Sequence, residues 1–314
     1  MVNLKKLFEI REFPALLVLI VMIVISTFLS PYFLTSKNIS NLLVQVSIIA
    51  VLAAGETYVI LTGGIDLSVG SVAALSGALT AGMMKSGGMP VPLAICCGLA
   101  TGVMCGLTVG LLVTKVKIPS FVATLAMMTG ARGLTLLYTT GIPISLLPES
   151  FLTIAGRIGP ISVLTIIMIV VYLIGQTTLS CTKIGRYIHA IGGNEDAVRF
   201  SGIRTDLYKC IPFIVSGLCA GLAGIMIAAR LDSAYPTAAT GYELDAIAST
   251  ILGGTTFTGG VGSLGGTFMG ALIMTILGNL LNLLRVSPFY QYIFKGVILV
   301  LAAISLRRGV WYAK

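Results

Sequence analysis

The 314 residues are 56% hydrophobic and only 10% charged, with 37 glycines, a mean hydropathy of +1.02 and a net charge of +9. A soluble domain of this size carries about 25% charged residues to keep its surface wet, so this chain cannot cover itself with polar side chains. At roughly 20 apolar residues per crossing it is an all-α polytopic membrane protein of about ten transmembrane helices, which excludes a large extramembrane catalytic or nucleic-acid-binding domain.

In chain order, the first apolar run, Phe13 to Leu29, follows Lys5, Lys6 and Arg11. Its length, and the absence of a small-x-small cleavage pattern across Thr27 to Pro31, read as an uncleaved span. Further runs fall at about 42–61, 68–84, 91–113, 121–138, 161–176, 210–229, 246–263, 264–284 and 292–306. With the N-terminus inside, parity places 114–120, 177–209 and 307–314 on the cytoplasmic side. Those segments hold Lys115, Lys117, Lys183, Arg186, Arg199, Arg204, Lys209, Arg307, Arg308 and Lys314. Lys and Arg accumulate in cytoplasmic loops, so both termini are expected in the cytoplasm.

Gly98, Gly102, Gly106 and Gly110 recur every four residues in the fourth run and share one helix face. Helices in a bilayer associate by close backbone approach, which small residues at this spacing permit. Shorter ridges, Gly217 with Gly221 and Gly262 with Gly266 and Gly270, point the same way. Two glycine-rich breaks stand apart: LTGGIDLSVGS at 61–71 and LGGTTFTGGVGS at 252–263. Broken helices at membrane depth are tolerated where they line a cavity or are buried in protein, and paired interruptions in transporters mark the solute path. Gly63, Gly64, Asp66, Ser68, Gly253 and Gly254 are therefore the candidate gate or translocation-path residues. Gly260, Gly262 and Gly265 satisfy a dinucleotide pattern that needs a preceding strand; here the flanks are apolar helix, so no nucleotide site is expected.

Glu56, inside the second run, and Arg132, inside the fifth, are costly in a bilayer and call for a partner or cavity; a structural pair or water contact is the plain reading. Asp66 or Ser68 can cap a helix starting near Val69. An ion-coupled secondary transporter would have to work through Glu56 or Asp66. The six cysteines, Cys96, Cys97, Cys105, Cys181, Cys210 and Cys219, lack metal-ligand spacing and read as packing residues. His189 stands alone, without a ligand or triad pattern, and no metal site is expected.

The longest hydrophilic stretch is 177–209. Gly192-Gly193-Asn194 reads as a turn, Asn194 as a helix N-cap with Glu195 and Asp196 in the first turn, and Gly202 as the αL residue ending a helix over about 194–201. Such a helix is a solvated connector or a docking knob for a cytoplasmic partner.

The string IGRYIHAIGGNEDAVRFSGI resembles the inner loop of the sugar-type permeases of ATP-binding-cassette importers, especially the ribose permease group. Asp196-Ala197-Val198-x-x-x-Gly202 looks like a variant of the coupling motif E-A-A-x-x-x-G, with Asp196 and Val198 replacing the Glu and second Ala. The resemblance extends to 59–71, 229–263 and 279–291; Glu56 departs from it, standing where similar permeases carry an uncharged Gln or Met. The resemblance implies one permease domain over 1–314, with a coupling helix in 177–209, paired with a second copy of itself. It implies a cytoplasmic ATPase that binds ATP and Mg, an extracytoplasmic binding protein, and no catalysis or bound cofactor in this chain. Gly192, Gly193, Asn194, Glu195, Asp196, Ala197, Val198, Arg199 and Gly202 become the ATPase-coupling residues. The loop 230–245, with Arg230, Asp232, Tyr242, Glu243 and Asp245, is the expected docking surface for the binding protein.

Overall fold

The computed structural model describes residues 13–287, 289–291, 293–297 and 300. The two termini and most of the tenth apolar run lie outside the described residues, as does their expected placement.

The helices follow the apolar runs in order: α1 (Phe13–Leu29), α2 (Ser36–Leu61), α3 (Val69–Lys85), α4 (Val91–Thr114) and α5 (Ser120–Thr139). A short α6 (Glu149–Leu152) precedes α7 (Val163–Cys181), α8 (Lys183–Gly193), α9 (Glu195–Phe200), α10 (Thr205–Leu231), α11 (Tyr242–Leu252) and α12 (Leu264–Leu283). Six of them, α2, α4, α5, α7, α10 and α12, are long and apolar enough to cross a membrane. The strands are two-residue pairs: β1 (Ile144–Ser145) with β4 (Ser233–Ala234), and β2 (Arg157–Ile158) with β3 (Ile161–Ser162), both antiparallel. The chain is an all-α polytopic membrane protein.

A helix apolar all round is buried within its bundle, and α2 is such a helix: every residue from Val46 to Leu61 is buried. It packs against α7, α10, α11 and α12. The glycine ridge of α4 faces α10. A Cβ on Gly102 would strike the Gly217 carbonyl, and one on Gly217 would strike the Gly102 carbonyl, so the two backbones touch at a mutual gap. A Cβ on Gly106 would strike the Phe213 carbonyl, and one on Gly110 the Cys210 sulfur. In a bilayer this contact does what a hydrophobic core does in water.

The eighth run differs from its expected form. It is an 11-residue helix, α11, followed by irregular chain over 253–263. At about 1.5 Å per residue α11 reaches half way across a hydrocarbon core of about 30 Å. Gly254, Gly259 and Gly260 take positive φ of 90°, 84° and 77°, outside the right-handed helical region, which is why an apolar stretch of span length is not one helix here.

The first break also folds back on itself. Its Asp66 N–H donates to Glu56 Oε1 at 3.0 Å, in the last two turns of α2, and Ser216 of α10 donates to Asp66 Oδ2 at 2.8 Å. Asp66 does not cap α3 as the sequence suggested. Its Oδ1 accepts from the backbone N–H and hydroxyl of Ser68 at 2.9 and 2.6 Å, and Ser68, the N-cap residue, makes no side-chain cap. The carboxylate therefore fixes the loop, and through Ser216 fixes it to α10.

Candidate functional site

The stretch 177–209 is mostly helical. α7 runs on to Cys181, and Thr182 then caps α8 by accepting from Gly185 N–H at 3.4 Å. α9 forms where its local signals place it. Asn194 accepts from the Ala197 N–H at 3.0 Å, Glu195 and Asp196 occupy the first turn, and Gly202 leaves the helix at φ +80°. Val198 is buried, while the side chains of Asp196 and Arg199 stand 79% and 53% exposed. Phe200 is 89% exposed, an apolar ring held in solvent at the end of a polar helix, and sequence reasoning passed over it. Its signal was an aromatic residue two positions before the αL glycine.

α9 is tethered by charge. Glu195 accepts from Lys209 of α10 at 2.8 Å and from Arg199 of its own helix at 2.8 Å. Burial raises its carboxyl, but the hydrogen bond and charge of Lys209 together with Arg199 outweigh it and hold the group below the usual carboxylate range. Asp206, in the first turn of α10, pairs with Lys117 at 2.7 Å and Lys115 at 3.4 Å. Between these two clusters opens a cavity of about 520 Å³ whose far wall is Thr62, Gly63 and Gly64 of the first break.

The two breaks meet beside α8. Gly260 N–H donates to the Leu61 carbonyl at 2.9 Å, and Gly63 lies against the Thr258 carbonyl. Gly192 fills the remaining side: a Cβ there would strike both the Leu61 carbonyl and the Gly260 nitrogen. His189 Nδ1 sits 3.1 Å from the Gly260 carbonyl oxygen, which can only accept, so that nitrogen carries the proton. Thus Gly63 and Gly192 are brought together, with Gly193 beside Gly260. Gly253 lies deeper, packed on Gly266 of α12. Asp66 and Ser68 are buried, with Asp66 bridging Glu56 and Ser216.

Arg132 does not pair with Glu56. Its Nη1 donates to the carbonyls of Pro236 and Ala238 at 2.7 and 3.0 Å, holding the chain that leads into α11. The stretch 230–245 correspondingly divides. Arg230 is exposed, and Asp232 accepts from the Leu147 N–H at 2.9 Å. Tyr242 is half-buried, and Glu243, also half-buried, lies against Gly70. Asp245 is buried and paired with Lys295 at 2.7 Å, so it is not part of an exposed docking surface. It sits in the first turn of α11, where a carboxylate is favoured by the helix N-terminus.

Residues 38–303 match a family model described as a branched-chain amino acid transport system / permease component. The chain belongs to this permease family. It is 46% identical over 302 residues to the ribose import permease protein RbsC of Escherichia coli K12, covering 94% of this chain and 93% of that protein. It is 48% identical over 294 residues to the corresponding protein of Bacillus subtilis 168, covering 92% and 91%. The D-allose transport system permease protein AlsC of Escherichia coli K12 is 38% identical over 293 residues, covering 93% and 90%. No solved structure matches the permease. As a permease component it is a transport subunit rather than an enzyme.

Proposed function

We propose that this permease is the membrane subunit of an ATP-binding-cassette importer that carries a monosaccharide, ribose or a similar sugar, across the bacterial cytoplasmic membrane. The sugar class follows from relatives named as ribose and D-allose permeases over nearly the whole chain. A separate ATPase subunit binds ATP and Mg on the cytoplasmic side, and an extracytoplasmic binding protein delivers the sugar. Two copies of the permease form the pathway through ten spans each, with both termini inside and no cofactor of their own.

The observation that carries the mechanism is the wedge of Gly192 between Leu61 and Gly260. α9 presents Asp196, Arg199 and Phe200 outward, a surface fit for a groove in the ATPase. Asn194 joins α9 directly to Gly193 and Gly192, so motion of α9 reaches both glycine-rich breaks with no flexible linker between. A second route runs through Lys209 and α10 to Ser216 and Asp66. The breaks are built for this role, because their positive-φ glycines change conformation at lower cost than a helix of branched residues. Selectivity rests with the binding protein, and the permease supplies a weakly polar path past Thr62, Gly63, Gly64 and Ser120. Arg230 and Asp232 remain exposed or half-exposed at the opposite end as the docking contribution.

Radiolabelled ribose uptake into proteoliposomes holding the chain, its ATPase and its binding protein tests this reading. Uptake requiring ATP and all three components is the expected outcome; uptake by this chain alone on an ion gradient would refute it. In the same system, Asp196→Lys is expected to reduce copurification of the ATPase.

A further inference from the structure

At the α9 end of the bundle, a second cavity of about 580 Å³ lies in the groove between α4 and α10. Its lining is sorted by depth. Leu107 and Leu111 of α4 face Leu207, Ile211 and Ile214 of α10 and make an apolar trough about two helical turns long, with Leu111 44% and Leu207 53% exposed. At the helix ends the lining turns basic: Lys115 is the C-cap of α4, Arg204 the N-cap of α10, and Arg199 reaches in from α9. Asp206 is the single acidic residue of the lining and is already engaged by Lys115 and Lys117. Arg204 makes no side-chain hydrogen bond or ion pair among the described residues.

We infer that this groove is a binding site for one anionic phospholipid, its phosphate held by Arg204, Lys115 and Arg199 and one acyl chain lying along the trough. Charge and apolarity are arranged in the order in which a lipid presents them at the membrane–water boundary, which a soluble phosphate would not need. Basic pockets between membrane helices on the cytoplasmic side recognise anionic headgroups in this manner. Arg199 also lines the neighbouring cavity against the first break and pairs with Glu195. The lipid therefore steadies α9 through Arg199, one turn from the Glu195 that carries its Lys209 tether, which makes anionic lipid content a regulator of coupling.

Native mass spectrometry of the full chain released from nanodiscs of mixed phosphatidylcholine and phosphatidylglycerol tests the site directly. The wild-type chain is expected to retain one phosphatidylglycerol in preference to phosphatidylcholine. Arg204→Gln combined with Lys115→Gln should weaken retention roughly thirtyfold, at about fivefold per basic side chain removed. A control of equal charge loss at exposed positions of α8, Lys183→Gln with Arg186→Gln, should leave retention unchanged. Equal retention by the first variant, equal loss in the control, or displacement of the lipid by glycerol phosphate as readily as by free phosphatidylglycerol would each overturn the site.

Discussion

The backbone N–H of Gly260 donates to the carbonyl oxygen of Leu61 at 2.9 Å, joining the second glycine-rich break to the last residue of α2. That carbonyl is one of the four that a helix C-terminus leaves without an intrahelical donor. A distant loop supplies its partner, and Gly192 packs over the bond. The buried end of α2 is thus completed by two segments separated from it by well over a hundred residues.

Gly202 separates backbone geometry from packing. A Cβ there meets nothing within 4 Å, so only its φ of +80° resists a side chain. Gly202→Val should cost about 1–2 kcal/mol locally, unravel the end of α9 and reduce ATP-driven uptake roughly tenfold. Gly202→Asn, which tolerates the left-handed region, should retain more. Uptake and membrane abundance measured for both variants check the order.

Glu195 carries a pH signature. Its carboxyl is held below the ordinary range, against burial, by Lys209 and Arg199. A depressed folded value gives a stabilisation that is full above the unfolded value of about 4.3 and is lost as pH falls through the folded value. Thermal stability of the wild type should therefore fall toward that of Glu195→Gln on acidification through this window. Parallel profiles for the two proteins would show that the Lys209 tether carries no stability.

Gly102 tests the helix seam. Gly102→Val places branched carbon against the Gly217 carbonyl, with no flexible side chain to yield. Overpacking of this kind costs about 1–3 kcal/mol or more, and the variant should lower the detergent melting temperature. Gly130→Val in α5, where a Cβ meets nothing, should not.

Glu56→Gln distinguishes the two transport classes. The amide oxygen can still accept from the Asp66 N–H, so the fold of the first break survives. ATP-driven uptake should be retained, because the near-isosteric change keeps the acceptor oxygen that holds the first break. Abolished uptake together with lost ion dependence would favour an ion-coupled transporter instead.

The parts legible in the sequence were those written in local chemistry. α9 was readable because Asn194, the acidic first turn and Gly202 each act within one helical turn. The α4 ridge was readable because a four-residue glycine period has one geometric meaning in a helix. The split of the eighth run was not, since hydropathy counts apolar residues without regard to φ, and only the backbone reveals Gly254, Gly259 and Gly260 as left-handed. Long-range partners were hidden for a different reason. Asp245 reads as part of a docking loop until Lys295 is found beside it, and Arg132, read as a member of a structural pair or a water contact, has two backbone carbonyls as partners. Gly63 and Gly192 each carried a signal, but nothing in either segment says that they touch the same loop.

The most direct test of transmission from α9 to the breaks is ATP hydrolysis and ribose uptake measured together in the same proteoliposomes for Gly192→Ala. The added methyl strikes the Leu61 carbonyl and the Gly260 nitrogen, while α9 and its outward face are untouched. Hydrolysis stimulated by the binding protein should persist while uptake per ATP falls at least tenfold. Wild-type uptake per ATP in this variant would contradict transmission through Gly192.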